Sequence, residues 1–112
     1  MSDFKLDPES KEELLKVQEA AKNMLKDTKE FDIAFEKVFA QYDTNKDGTI
    51  EMTEYIDFLK QMLTLSGLKA YNLMKIKDDF ERADKDNNGK IDKAEFKKEF
   101  LKRLRTFAGR KL

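Results

Sequence analysis

Two twelve-residue stretches of the chain carry the same spacing of oxygen-bearing side chains around a glycine. Residues 43–54 read DTNKDGTIEMTE, and residues 84–95 read DKDNNGKIDKAE. Each stretch has aspartate at position 1, asparagine or aspartate at positions 3 and 5, glycine at 6, isoleucine at 8, an acid at 9 and glutamate at 12. This spacing matches a calcium-loop pattern and indicates a hard divalent cation held by oxygen atoms.

Each position of the pattern has a role, because calcium takes about six to eight oxygen ligands in flexible geometry. Side chains at positions 1, 3 and 5 bind, the carbonyl at 7 contributes, the acid at 9 binds directly or through water, and the glutamate at 12 binds with both oxygens. The predicted ligands of the first loop are Asp43, Asn45, Asp47, the Thr49 carbonyl, Glu51 and Glu54. Those of the second loop are Asp84, Asp86, Asn88, the Lys90 carbonyl, Asp92 and Glu95. We therefore expect two bound Ca²⁺ ions, with Mg²⁺ as a competitor.

The remaining fixed positions of the loops have structural roles. Gly48 and Gly89 stand where the loop turns sharply, and glycine has no Cβ to forbid a positive φ. Ile50 and Ile91 occupy position 8 and are expected to lie opposite each other in a short antiparallel ladder. Such a ladder would join the two loops into one unit and couple their filling.

Amphipathic helices are predicted on both sides of each loop, because apolar residues recur there at intervals of three and four. Helices are expected over 7–28, over 31–42 entering the first loop, after residue 54, over 68–83 entering the second loop, and over 93–108. A linker is expected at 64–67. Asp7 and Pro8 supply one start signal for the first helix, and Ser10 with Glu13 supplies a second, nested one. The apolar stripe of that helix comprises Leu14, Val17, Ala21 and Met24, with Leu15 and Leu25 beside it.

The composition excludes several classes of chemistry. The chain of 112 residues contains no cysteine and no histidine, so disulfides, thiolate ligands and imidazole bases are all absent. No phosphate-binding glycine loop or nucleophile motif occurs, and we expect neither an enzyme nor a small-molecule substrate. The first ten residues lack the apolar stretch of a secretion signal, and no apolar run is long enough to span a membrane. We expect a cytoplasmic protein.

The loops and their flanking residues resemble the EF-hand superfamily, to which calmodulin and troponin C belong. Phe39 and Phe80 precede position 1 by four residues, and Tyr55 and Phe96 follow position 12, as is common in that family. The resemblance implies an all-α fold: an EF-hand pair joined by a two-stranded ladder, with an extra N-terminal helix. The expected division is an N-terminal extension at 1–30, a paired domain at 31–108 and a basic tail at 109–112. The chain is similar to one half of a four-motif calcium-binding protein of protozoan type.

Two regulatory roles follow from the resemblance. A sensor opens on binding calcium and exposes an apolar groove, whereas a buffer barely opens. The predicted groove lining, which is also interpretable as ordinary core, is Met52, Met62, Met74, Phe58, Phe100 and Leu104. We favour a monomeric regulatory protein that binds two Ca²⁺, changes its helix packing and engages a target protein or peptide helix. A calcium buffer is the alternative.

Two segments outside the loops leave further alternatives open. The first helix is expected to be a packed structural helix, a built-in lid on the groove, or a connector to another lobe. The segment 97–111 is basic and has interleaved apolar residues, which is typical of a basic amphipathic helix. A calcium-regulated binder of an anionic membrane or of nucleic acid is therefore a further alternative, and a solvated helix face is the simpler interpretation.

Overall fold

The computed structural model describes residue 4 and residues 6–67 and 72–111, and within them the fold is all-α, as predicted. Its elements in chain order are α1 Lys11–Lys26, α2 Thr28–Tyr42, β1 Thr49–Glu51, α3 Met52–Leu65, α4 Leu73–Ala83, β2 Lys90–Asp92 and α5 Lys93–Ala108. β1 and β2 pair in antiparallel orientation. None of the helices in these ranges combines the length and apolar character that crossing a bilayer requires.

The first helix begins later than predicted. The Ser10 Oγ accepts a hydrogen bond from the Glu13 N–H at 3.1 Å, and the Glu13 carboxylate accepts one from the Glu9 N–H at 2.7 Å. The nested start signal therefore satisfies one free amide group of the first turn and the amide just before the cap, and α1 starts at Lys11. The prediction of a helix from Asp7 was wrong for this reason.

A single aspartate separates the first two helices. Asp27 is extended, with a φ of −130°, and its side chain accepts a hydrogen bond from the Lys29 N–H at 3.0 Å. It therefore ends α1 and caps α2, which begins at Thr28 rather than at Phe31.

The helix entering the second loop is shorter than predicted. The expected start at 68 lies outside the described residues, but the extended Asn72 caps α4, and its Oδ1 accepts hydrogen bonds from the Met74 and Lys75 N–H groups. Leu73 lies in the first turn, at the edge of the packed region, and 43% of it is exposed. Further along the helix, Ile76, Phe80 and Ala83 on the same face are buried.

One aromatic core joins the two helix–loop–helix units. The rings of Phe58 and Phe96 have centroids 4.7 Å apart, and Phe35 and Phe100 lie about 6 Å from each other and from this pair. Aromatic contacts at these separations add to the stabilisation from buried apolar area. The core therefore connects α2, α3 and α5 and fixes the helices that hold the loops.

The N-terminal helix is part of the same core. α1 packs against α2 and α5, and Val17, Ala21 and Met24 are fully buried. Leu15 and Leu25, which flank the stripe, are partly exposed, at 45% and 37%. Within the described residues the core continues without a break into the segment before residue 31, and the predicted division at residue 30 stays a prediction.

Candidate metal centre

The two loops have the same backbone conformation. In the first loop, Lys46 at position 4 and Gly48 at position 6 have φ values of 56° and 80°. In the second loop, Asn87 and Gly89 at the same positions have φ values of 52° and 79°. A positive φ is uncommon for a residue such as lysine, so its recurrence at one loop position indicates a specific turn. Both glycines are therefore required by backbone conformation, as predicted.

The aspartate at position 1 organises each turn. Asp43 Oδ1 and Oδ2 accept hydrogen bonds from the N–H groups of Asp47 at 3.3 Å and Gly48 at 3.0 Å. Asp84 accepts the equivalent bonds from Asn88 at 3.3 Å and Gly89 at 2.8 Å. Only 6% of each aspartate is exposed. These carboxylates thus lie inside the curve of their own loops, where position 1 of a calcium loop must be.

The side chain at position 5 closes the turn in both loops. Asp47 Oδ1 accepts a hydrogen bond from the Thr49 N–H at 3.0 Å, and Asn88 Oδ1 accepts one from the Lys90 N–H at 3.0 Å. The pKa of Asp47 is lowered to about 2. The hydrogen bond from the Thr49 N–H is the largest cause, and the Thr49 hydroxyl group and Lys90 lower the pKa further. Asp47 is therefore ionised at neutral pH, as a cation ligand must be.

The glutamates at position 12 lie in different environments. Glu54 Oε2 accepts hydrogen bonds from the Thr44 N–H at 3.1 Å and hydroxyl at 2.8 Å, and Glu54 Oε1 accepts one from the Glu51 N–H at 2.9 Å. Glu95 instead has two long ion pairs, with Lys85 at 3.5 Å and Lys98 at 3.8 Å. The first glutamate is consequently held by its own loop, while the second is held mainly by exposed lysines.

The other predicted ligands lie at the rim of the loops. Asn45 donates a hydrogen bond to Glu51 Oε1 at 3.1 Å, and Asp92 caps α5 by accepting one from the Glu95 N–H at 2.8 Å. Asp86 is exposed. In the described part of the chain, no three acidic side chains converge closely enough to hold an ion as they stand. Binding therefore requires the carboxylates at the rim to turn inward around positions 1 and 5.

The two loops are joined to each other. Ile50 and Ile91 pair directly at the centre of the β1–β2 ladder and are fully buried, as predicted. In addition, Lys90 Nζ lies 3.2 Å from Asp47 Oδ2, so a side chain of the second loop contacts a predicted ligand of the first. The ligand pattern gives no signal for this contact or for the one between Thr44 and Glu54, since positions 2 and 7 contribute no ligand side chain.

The residues present fit a hard divalent cation. Each loop offers carboxylate, amide and carbonyl oxygens, with one neutral asparagine among its side chains, and this donor set suits calcium better than a transition metal. A bound ion would supply the positive charge that these clustered acids need. The first loop would hold it through Asp43, Asn45, Asp47, the Thr49 carbonyl, Glu51 and Glu54, and the second through Asp84, Asp86, Asn88, the Lys90 carbonyl, Asp92 and Glu95.

Two oxygen-rich loops, each between two helices and joined by a short ladder, define a paired helix–loop–helix metal-binding protein. A family model described as EF-hand domain matches residues 34–67, and one described as EF hand matches residues 76–101. Together they cover more than half of the chain, and the chain belongs to the EF-hand superfamily as a calcium-binding protein. No curated protein and no solved structure matches it.

Proposed function

We propose that this is a regulatory protein that binds one Ca²⁺ ion in each loop and changes its helix packing to engage a target protein or peptide helix. The observation that carries the proposal is the repeated turn. Asp43 and Asp84 accept the same pair of backbone hydrogen bonds, and both loops have positive φ at positions 4 and 6. Loops built alike at this level support binding in both rather than in one.

Coupling between the ions and the helices supports a sensor. Glu54 and Glu95 are the third residues of α3 and α5, so each ligand is rigidly attached to the helix that leaves its loop. Further along these helices, the apolar side chains of Phe58, Met62 and Leu104 are fully buried. Inward movement of either glutamate would shift a helix whose apolar face now lies in the core, and would thereby expose that face.

The predicted groove lining is divided in this structure. Four of its members, Phe58, Met62, Phe100 and Leu104, belong to the buried core. Met52 is half-buried, and Met74 is 76% exposed near the start of α4. Met74, in the first turn of α4, is therefore not part of the packed core to which the other five side chains belong. An opened surface would be lined by the core members and not by Met74.

The packing of α1 supports the interpretation of this helix as a lid. The buried Gln18 side chain donates hydrogen bonds to the carbonyl oxygens of Phe107, at 3.3 Å, and Arg110. The Phe107 carbonyl lies in the last turn of α5 and the Arg110 carbonyl lies just beyond it, so Gln18 ties α1 to the C-terminal end of α5. α1 thus competes with any target helix for the surface of α5, and the target would have to displace it.

The contacts of the basic segment argue against the membrane or nucleic-acid alternative. Lys97 pairs with Asp32 at 2.8 Å, and Arg103 pairs with Asp79 at 3.1 Å. Arg110 donates to the Leu65 carbonyl oxygen at 2.7 Å. Part of the positive charge of this segment is therefore paired with acids within the protein. We retain a cytoplasmic, monomeric protein without enzyme activity as our expectation.

Calcium titration of the full chain tests this proposal. Calorimetry should record two ions per chain, and an apolar dye together with amide spectra should report exposure of core surface and shifts across all helices. Two ions with shifts confined to the loops would identify a buffer instead. No uptake at millimolar calcium would reject calcium binding altogether. A parallel titration with magnesium measures how strongly Mg²⁺ competes for the two loops.

A further inference from the structure

The contact between Thr44 and Glu54 has no equivalent of the same strength in the second loop. Thr44 stands at position 2, which supplies no ligand, yet both its N–H and its hydroxyl group donate to Glu54 Oε2. The other oxygen of the same carboxylate accepts the Glu51 N–H. Glu54 is only 9% exposed, although Thr44 itself is exposed, so these hydrogen bonds are partly shielded from water. Hydrogen bonds to a charged group in such surroundings are among the stronger ones in proteins.

The second loop restrains its glutamate weakly. Position 2 is Lys85, whose side chain is 69% exposed and whose Nζ lies 3.5 Å from Glu95 Oε1. Only 18% of the Glu95 side chain is exposed, but the lysine is exposed and the distance is long, so this ion pair is partly screened and contributes little. In the described residues, the Glu95 carboxylate accepts no backbone hydrogen bond matching the one from Glu51 to Glu54. The two glutamates therefore differ in what they must give up before binding a cation with both oxygens.

We propose that Thr44 is an affinity-determining residue, whose hydroxyl holds Glu54 against the loop backbone and makes the first loop the weaker calcium site of the two. This inference rests on the proposed binding of calcium in both loops. In the described arrangement Glu54 faces donors rather than the other acids, so its oxygens must leave Thr44 before they bind an ion. The second loop fills first, because Glu95 loses only long ion pairs with two exposed lysines.

Removing the Thr44 hydroxyl group should have opposite effects on stability and on calcium affinity. A hydrogen bond that exists only before calcium binds stabilises the calcium-free protein and opposes binding by the same amount. Thr44→Val keeps the shape of the side chain and removes only the hydroxyl group. It should therefore lower the stability of the calcium-free protein and strengthen calcium binding by the first loop about tenfold. The stability of the calcium-loaded protein should not change.

Two measurements on the full chain test this prediction. Calorimetry gives the affinities, and the amide resonances of Gly48 and Gly89 assign each affinity to a loop, since each of these N–H groups contacts the position-1 aspartate. In the unmodified chain, Gly89 should respond at lower calcium than Gly48. In Thr44→Val, the Gly48 response should move to lower calcium while the Gly89 response stays in place, apart from any coupling through the ladder.

A matched variant provides the control. Thr53 is exposed, lies next to Glu54 in sequence and has no side-chain hydrogen bond in the described residues, so Thr53→Val should leave both affinities unchanged. An unchanged Gly48 response in Thr44→Val, with both loops still binding calcium, would overturn the proposed role of Thr44 but leave the proposed function intact. Filling of the first loop before the second in the unmodified chain would do the same. Loss of all calcium binding in the unmodified chain would instead overturn the proposed function.

Discussion

Lys90 and Asp47 form an ion pair across the two loops, with Nζ and Oδ2 separated by 3.2 Å. The lysine belongs to β2 and the aspartate is a predicted ligand of the first loop, so a cation is already placed beside one ligand of that loop. Calcium bound by Asp47 would be repelled by this lysine. The second loop can therefore influence the first through charge as well as through the ladder.

Lys90→Gln should strengthen calcium binding by the first loop about two- to threefold. The effect is small because the lysine is 43% exposed and the pair is screened by water. It should decrease further as salt concentration rises. Calorimetry at two ionic strengths, with the Gly48 amide resonance as the probe of this loop, measures both effects.

Lys46→Gln provides the matched control, because Lys46 belongs to the first loop but forms no ion pair in the described residues. If the overall charge of the loops alone sets the calcium affinity, Lys46→Gln should change the affinity of the first loop at least as much as Lys90→Gln does. A larger effect of Lys90→Gln would support a specific role for the contact between Lys90 and Asp47. Equal effects of the two variants would contradict that role.

The glutamates at position 12 should contribute more to calcium affinity than the acids at position 9. Glu54→Gln or Glu95→Gln preserves the shape of the side chain but removes a charge and one of the two oxygens that close the site. We expect each substitution to lower the calcium affinity of its own loop by at least about tenfold. Glu51→Gln and Asp92→Asn are the comparison variants at position 9 and should cost less. Calcium titration of the four variants, followed at the two loop glycines, would contradict this ranking if position 9 proved the more sensitive.

Both loops and their shared ladder were predictable because they depend on local rules. Aspartate at position 1 and glycine at position 6 recur with the same turn in both loops, and the isoleucines at position 8 form the pair Ile50–Ile91. The limits of α4 were not predictable in this way, because apolar periodicity continued upstream while Asn72 offered a cap. Similarly, Thr44 and Lys90 act through side chains whose partners are set by the folded loop and not by a residue pattern.

The hydrogen bonds of Gln18 should contribute measurably to stability. Gln18→Leu replaces the amide by an apolar group of similar size. It removes the side-chain donor to the Arg110 carbonyl oxygen and leaves the Phe107 carbonyl oxygen with the Arg110 N–H at 3.0 Å. A loss of about 1–3 kcal/mol in the free energy of unfolding is expected, since these groups are buried or partly buried. Denaturant unfolding of the calcium-free protein measures it.

Gln18→Leu also tests whether α1 acts as a lid. If the helix covers a surface that targets use, loosening it should increase apolar-dye binding before calcium is added. Glu19→Leu is the control, because Glu19 is the exposed neighbour on the same helix. Reduced stability without increased dye binding would indicate a purely structural helix.

Two buried tyrosines should limit stability at alkaline pH. Burial, and then the negative charges of Asp57 and Asp7, raise the pKa of Tyr42 from 10.0 to about 12. Burial, followed by the charge of Glu99, raises the pKa of Tyr55 as well. The folded protein therefore holds protons that the unfolded chain releases near pH 10. The stability associated with Tyr42 is complete below pH 10 and is lost as the pH rises towards 12.

Each such tyrosine should reduce the free energy of unfolding by up to about 1.4 kcal/mol per pH unit within that window. Denaturant unfolding at a series of pH values from 9 to 11.5 measures the slope, and tyrosinate absorbance reports ionisation directly. Tyr42→Phe removes one titrating group and no hydrogen bond in the described residues, so its slope should be smaller by the contribution of that one group. An unchanged slope in Tyr42→Phe would show that Tyr42 ionises equally well in the folded protein, and the alkaline loss of stability would then belong to other groups.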